Sequence, residues 1–416
     1  MLIYKNRREG DCALLKNRPE LLSPAGDMDS LISAVRYGAD AVYLGMKQFG
    51  MRDAPLNFTC SELVRGVKFA HNNNVRIYVV CNTLPRNNEL DELPRFLEDV
   101  AQSGADALII ADIGVMSLAK KYAPDVDIHM STQTGIVNWR TATTLFELGA
   151  KRVVLARELS LEEITEIKRR APKDLEIECF VHGAMCMSFS GRCLISQYLN
   201  SRDANRGKCS QPCRWKYHVV EEKRPGEYFP IEENPAGTHL FNSRDLCMIE
   251  HIREMSDAGI DSFKIEGRAK TAFYSASVTN AYRSAIDWHI QNDGALPEWI
   301  AEETDKISHR AYCTGFFFGR PSQEYENGGY IRNARFIGTV EKTENGRLCI
   351  IQRNRFCEGD EIEILRPGMT PLRIKAQDMR DENGEKIEAA PHAQMKLSIK
   401  FDGEAENGWF IRTDEK

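Results

Sequence analysis

No stretch of this 416-residue chain approaches the ~18–20 consecutive apolar residues that cross a bilayer, so no helical membrane span is expected. Its opening, MLIYKNRREGDCALLKNRPE, lacks the apolar core of a signal peptide, and the expected compartment is the cytoplasm. Basic excess is missing too. Lys and Arg number 55 against 61 Asp and Glu, a net charge of −6, which excludes a protein that coats nucleic acid by bulk charge. No low-complexity segment is present. No G-x-G-x-x-G follows the first apolar run, and neither H-E-x-x-H nor G-x-S-x-G occurs anywhere. The usual signatures of dinucleotide binding, zinc peptidases and serine hydrolases are therefore absent. Disulfides are rare in the cytosol, so the twelve cysteines call for metal binding, chemistry or core packing instead.

A short phrase recurs: YGADAVYLG from Tyr37, SGADALIIAD from Ser103, LGAKRVVLARE from Leu148 and AGIDSFKIEG from Ala258. Each follows an amphipathic stretch, places a glycine second, and ends in a run of Val, Ile and Leu. A helix that stops at a glycine of positive φ and feeds a strand buried on both faces has this appearance. Eight strands are predicted, at Pro19–Ala25, Asp40–Met46, Arg76–Asn82, Ala107–Asp112, Asp127–Thr132, Arg152–Arg157, Glu176–Gly183 and Ser262–Gly267. Ser160 with Glu163 three residues on opens one of the intervening helices as a capping box. The pattern predicts an α/β fold, a TIM-like (β/α)8 barrel, with an open doubly wound sheet as the alternative. The expected organisation is an N-terminal extension (1–18), a barrel (19–310) with a cysteine-bearing insertion after strand 7 (184–258), a linker (311–333) and a small C-terminal β-barrel (334–416). Short alternating strands broken by Asn-Gly, Glu-Gly and Pro-Gly turns mark the last part. A helical connector is read at 270–309.

Five cysteines fall between Cys179 and Cys213. Cys60, Cys81, Cys179, Cys313, Cys349 and Cys357 fit small apolar core residues. Cys186, Cys193, Cys209 and Cys213 stand instead among Gly, Ser, Asn and Arg, with spacing Cys-x6-Cys-x15-Cys-x3-Cys and Cys247 after 33 intervening residues. Structural zinc usually takes two close cysteine pairs, and only Cys209/Cys213 approaches one. An iron–sulfur cluster accepts widely spaced thiolates. A third reading makes Cys186 a nucleophile with His182 as its base, though His182 fits equally as a hydrogen-bonded support residue. Around these cysteines six basic residues, Arg192, Arg202, Arg206, Lys208, Arg214 and Lys216, face one acid, Asp203. A solvated loop has this composition; so does a surface for an anionic substrate.

The stretch FVHGAMCMSFSGRCLIS, with ELLSPAGDMDSLISAVRYGADAVYLG, HMSTQTGIVNW, NRGKCSQPCRWKY, FNSRDLC and SFKIEGRAK, resembles the U32 family of collagenase-like peptidases over roughly residues 18–416. Several members of that family act as iron–sulfur-dependent hydroxylases, and the long segment between Cys213 and Cys247 most resembles the branch that makes 5-hydroxyuridine at the tRNA wobble position with prephenate. The resemblance implies a [4Fe-4S] cluster on Cys186, Cys193, Cys209 and Cys247, with Cys213 as the alternative fourth ligand. It implies the tRNA anticodon loop and a small dicarboxylate, prephenate, as partners, involves no membrane, and leaves room for a related partner subunit. His182 and Glu178 are then placed at the site from strand 7. Lys264, Glu266 and Arg268 end strand 8 as carboxylate-binding candidates, or else form a salt bridge. Asp112, His129 and Gln133 are weaker candidates near strand ends. Arg192, Arg202, Arg206, Lys208, Arg214 and Lys216 are the candidate phosphate contacts, and Trp215 or Tyr217 the candidate stacking partner. The alternatives are a peptidase of the kind the family name states, and an RNA-binding protein with a structural metal.

Overall fold

The computed structural model describes residues 18–50, 57–186, 188–206, 208–212, 233–234, 237–238, 244–319, 321 and 330–415. The chain opens with β1 (Glu20–Ala25), α1 (Met28–Arg36), β2 (Ala41–Gly45), α2 (Cys60–His71) and β3 (Arg76–Cys81). It continues with α3 (Leu93–Ser103), β4 (Ala107–Ile110), α4 (Ile113–Tyr122), β5 (Asp127–Met130), α5 (Trp139–Glu147), β6 (Arg152–Val154), α6 (Leu161–Arg170) and β7 (Glu176–Ala184). The insertion then carries α7 (Ile195–Asn200), a hairpin of β8 (Glu233–Asn234) and β9 (Gly237–Thr238), and β10 (Asp245–Cys247). The eighth unit is α8 (Ile252–Asp257), β11 (Ser262–Ile265) and α9 (Ala272–Gln291), followed by α10 (Glu298–Glu303) and β12 (Tyr312–Cys313). Strands β1 to β7 and β11 run parallel in sequence order, and β11 pairs with both β1 and β7, closing an eight-stranded barrel. All eight predicted strands are present.

The helix–glycine–strand phrase works as its chemistry dictates. Gly38, Gly104, Gly149 and Gly259 all have positive φ, and the strands that follow are almost wholly buried. Ser160 and Glu163 form the predicted capping box on α6. The segment read as a connector contains α9, which packs on α1 and β1 as the barrel's eighth helix. Extra strands complicate the seventh unit: β10 runs antiparallel to β7, pairing Cys247 with His182, and β12 adds outside it. Cys81 and Cys179 are buried as expected, but Cys60 is exposed. It is the first residue of α2, on the solvent side, with Sγ 3.7 Å from Asp99 Oδ2.

The C-terminal part comprises β13 (Ala334–Glu344), β14 (Arg347–Gln352), β15 (Phe356–Cys357), β16 (Glu361–Ile364), β17 (Leu372–Lys375), β18 (Arg380–Asp381), β19 (Ala389–Ala390), β20 (Lys396–Lys400) and β21 (Phe410–Asp414). Seven of these form one antiparallel sheet in the order β17-β16-β21-β13-β14-β20-β18, curled into a half-barrel whose end strands do not pair among the described residues. Register shifts bend β13 on both edges near Gly338, where a Cβ would lie 2.8 Å from Ile350 Cγ2. The half-barrel has its own core around Ile337, Leu348, Ile362 and Ile399. It docks on the barrel through Tyr37, Phe273, Phe336 and Phe410, and through Arg412, which donates to Glu303 of α10 and to Glu363 of β16. No described helix is long and apolar enough to cross a membrane.

Candidate functional site

The inner faces of the strands divide the barrel into layers. At the N-terminal end Arg152 is buried and donates to Glu20, Glu176 and Glu178. Tyr78 and Ser262 also donate to Glu20 (2.6 and 3.0 Å). Burial raises the carboxyl of Glu20, but the Arg152 and Arg76 guanidiniums overcome it and hold Glu20 below the usual carboxylate range. His129 stacks edge-on against Tyr78 at 4.7 Å and is driven far below the ordinary imidazole range by burial, with the charges of Arg152 and Lys264 adding to it. One layer up, Lys264 donates to Glu178 at 2.7 Å, its ammonium 4.6 Å from the Tyr43 ring.

Lys264 is the floor of a cavity of about 270 Å³ at the C-terminal mouth, where barrel active sites form. Its wall carries Glu266 and Arg268 just beyond β11, Ser131 to Gln133 beyond β5, and Arg157 beyond β6. The insertion supplies the remaining side: Cys186, Cys193 and Cys209 all line this cavity, with Gln211 and Pro212. Six predicted site residues, the three cysteines with Lys264, Glu266 and Arg268, are thus brought together, as is Gln133. Arg268 is buried in a glycine cradle: a Cβ on Gly45 would lie 2.4 Å from its Nη1, and one on Gly26 2.3 Å from its carbonyl oxygen. Tyr43 Oη donates to the Ile265 carbonyl and lies 3.5 Å from Glu266 Oε2.

Two of the three thiols have backbone donors aimed at them, and the third lies against a hydroxyl. Ile195 N donates to Cys193 Sγ (3.4 Å), Gln211 N donates to Cys209 Sγ (3.3 Å), and Ser188 Oγ lies 3.0 Å from Cys186 Sγ. Hydrogen bonds of this kind stabilise sulfur that carries negative charge and tune iron–sulfur centres. The donor set therefore suits a thiolate-held group. Among the described residues, no three His, Cys, Asp or Glu side chains are grouped so as to hold a single metal ion.

Other predicted residues lie elsewhere. Glu178 is fully buried behind Lys264 and does not line the cavity. His182 is also off the cavity wall. Its ring packs among Tyr282, Tyr312 and Tyr274 at 5.6, 5.5 and 6.2 Å, and burial, aided by His309 and Lys270, lowers its pKa to about 3. Cys186 and His182 are therefore not brought together as a nucleophile and base. Cys247 contacts Tyr282 Oη and Thr304 Oγ1, both at 3.9 Å, and burial pushes its thiol up to about 11. Asp112 caps α4 through Val115 N. Arg192 is exposed and donates to the Gln133 carbonyl, while Arg202 donates to the Lys208 carbonyl. Cys213, Arg214, Trp215, Lys216, Tyr217 and the Arg206 side chain lie outside the described residues.

Arg157 was missed. It sits 4.0 Å above the Phe180 ring and donates to the Ala184 carbonyl. Its signal was available, because it ends the sixth predicted strand at the barrel's functional face.

The model described as "Peptidase family U32" matches residues 26–327, and that described as "Peptidase family U32 C-terminal domain" matches residues 332–412. A Bacillus subtilis protein named "tRNA hydroxylation protein P1" is 37% identical over 399 residues, spanning 94% of this chain and 93% of the relative. An Escherichia coli "tRNA hydroxylation protein P" is 36% identical over 422 residues, 90% of this chain and 92% of the relative. A Methanocaldococcus jannaschii protein named "Uncharacterized protease MJ0090" is 44% identical over 305 residues, 72% of this chain and 73% of the relative. With both of its domains matched and this identity sustained along nine-tenths of its length, the chain belongs to peptidase family U32.

Proposed function

We propose that this protein is a tRNA-modifying hydroxylase, and specifically an iron–sulfur enzyme that forms 5-hydroxyuridine at the wobble position with prephenate as co-substrate. The names of the Bacillus and Escherichia relatives support the tRNA-hydroxylation part. The observation that carries the finer reading is one cavity wall that holds three cysteines, two of them with backbone donors on their sulfurs, facing Lys264, Arg157 and Arg268 across the barrel mouth. Cys186, Cys193 and Cys209 would hold a [4Fe-4S] cluster, which when bound supplies one-electron redox chemistry. The fourth thiolate comes from Cys213, one residue past Pro212 on the cavity wall, or from Cys247, whose sulfur would have to leave Tyr282 and Thr304. Lys264, Arg157 and Arg268 offer cationic donors to a dicarboxylate, beside the Glu266 carboxylate on the same wall and with Lys264 paired to Glu178. A single-stranded loop can splay one base into the mouth.

The test combines two measurements. Protein purified without air should be brown and contain iron and sulfide. Cys193→Ala should be colourless, and separate Cys213→Ala and Cys247→Ala variants identify the fourth ligand by which of them loses iron. Nucleosides of total tRNA from a deletion strain should lack 5-hydroxyuridine derivatives, which the wild-type gene restores and Cys193→Ala does not. Unchanged nucleosides, once a redundant enzyme is removed, would overturn the reading.

A further inference from the structure

The insertion leaves an apolar and aromatic patch in solvent beside the cavity mouth. Tyr198 is 81% exposed, and Phe189, Leu194 and Leu199 are each about half exposed. This arrangement is held in place from behind. Within α7, Ile195 faces the cavity and Ser196 is fully buried, its hydroxyl 3.0 Å from Ser210 Oγ and accepting from Ser210 N. Asn200 donates to the same Ser210 hydroxyl at 2.8 Å. These bonds fix the helix, whose Tyr198 and Leu199 are exposed and do not line the cavity. An exposed patch of this kind marks an interaction surface.

Its surroundings select the partner. Exposed Arg192, Arg202 and Lys208 flank the patch, and Arg202 is held alongside Lys208 through that residue's carbonyl. Two acids are near: Asp203 lies 3.8 Å from Arg86, a largely exposed cation from the barrel rim, and Glu158 accepts from Ser190 N and Oγ beside Phe189. An aromatic ring presented among cations is how proteins take single-stranded nucleic acid: bases stack on the ring, and phosphates meet the charges. A protein partner would favour a continuous apolar face over one divided by cations.

We propose that Tyr198, supported by Leu194 and Leu199, is a stacking platform for an unpaired RNA base next to the one that enters the cavity, with Arg192, Arg202 and Lys208 on the adjoining phosphates. This rests on the reading that the substrate is RNA, and it assigns that substrate a second point of contact outside the cavity. The platform would position the loop so that a single base reaches the mouth.

The experiment measures binding of full-length protein, purified without air, to a synthetic RNA hairpin with a single-stranded loop, across a salt series. Tyr198→Ala should weaken binding roughly 5- to 150-fold with little change in salt dependence. Tyr198→Trp should retain affinity. Lys208→Gln should lower the salt slope by about 1. Unchanged affinity in Tyr198→Ala, while the wild type binds the hairpin and modifies tRNA, overturns the platform and leaves the function standing. The same holds if Tyr198→Ala keeps RNA affinity but loses association with another protein. A wild type that binds no hairpin overturns both.

Discussion

The ion pair beneath the cavity sets up a double-mutant cycle. Glu178 is fully buried and accepts from Lys264 Nζ at 2.7 Å and Arg152 Nη1 at 3.0 Å, and both cations are nearly inaccessible. Arg152 retains Glu20 and Glu176 if Glu178 is neutralised, but Lys264 has no other carboxylate partner among the ion pairs of the described residues. Glu178→Gln therefore strands a buried ammonium. Removing one member of such a pair costs about 3–5 kcal/mol. At about 2–4 °C per kcal/mol, the melting temperature should fall by roughly 6–20 °C. Lys264→Met alone strands the carboxylate less completely, because Arg152 still serves it. Glu178→Gln with Lys264→Met removes both unpaired charges, and should be more stable than Glu178→Gln alone, with a coupling of at least about 2 kcal/mol. Urea unfolding of the four proteins measures this. Additive single effects would refute the argument. Nucleoside analysis of the same strains separates the roles: a double variant with recovered stability and no tRNA hydroxylation shows that the Lys264 ammonium serves the substrate as well as the fold.

Three further expectations follow from the geometry. His129 is buried and held neutral, whereas in the unfolded chain it binds a proton near pH 6.5. Its contribution to stability is present above pH 6.5 and lost as pH falls, by about 1.4 kcal/mol per pH unit, so His129→Leu should flatten the decline in urea midpoint between pH 6.5 and 5; equal slopes would refute it. Gly45→Ala meets side chains alone, chiefly the Arg268 guanidinium and more mildly Val80 Cγ2 at 3.2 Å, and should lower tRNA hydroxylation with a small change in melting temperature, whereas Gly26→Ala meets the Arg268 backbone and should destabilise the protein clearly. Arg412→Met leaves Glu303 and Glu363 buried without their shared cation, at a cost of about 3–5 kcal/mol, and should speed proteolysis between 304 and 333; Arg412→Lys should not rescue it, because a lysine cannot serve both carboxylates in the same fork.

The barrel was legible in the sequence because its determinants are local. Gly38, Gly104, Gly149 and Gly259 must take positive φ where helices stop, and apolar runs such as ALII must be buried on both faces. The special character of Cys186, Cys193 and Cys209 was legible for the same reason, since cysteines among glycines and arginines do not pack a core. The half-barrel's open edges were not legible, because closure depends on how β17 and β18 lie relative to each other rather than on their alternation.

Long-range pairing alone decided the rest of the site. His182 follows the inward-facing Glu178 and Phe180 at a spacing of two, so alternation by itself would aim it inward. The register shift between β7 and β11 at Lys264/Ile265, together with antiparallel β10, places it among Tyr274, Tyr282 and Tyr312 instead. Cys247 shares that fate through its pairing with His182. Arg157 joined the cavity because β6 and β7 bring it over Phe180. Which side chains share a face of one element is written in their spacing; which elements share a cavity is set by sheet register and by the insertion folding back over the mouth.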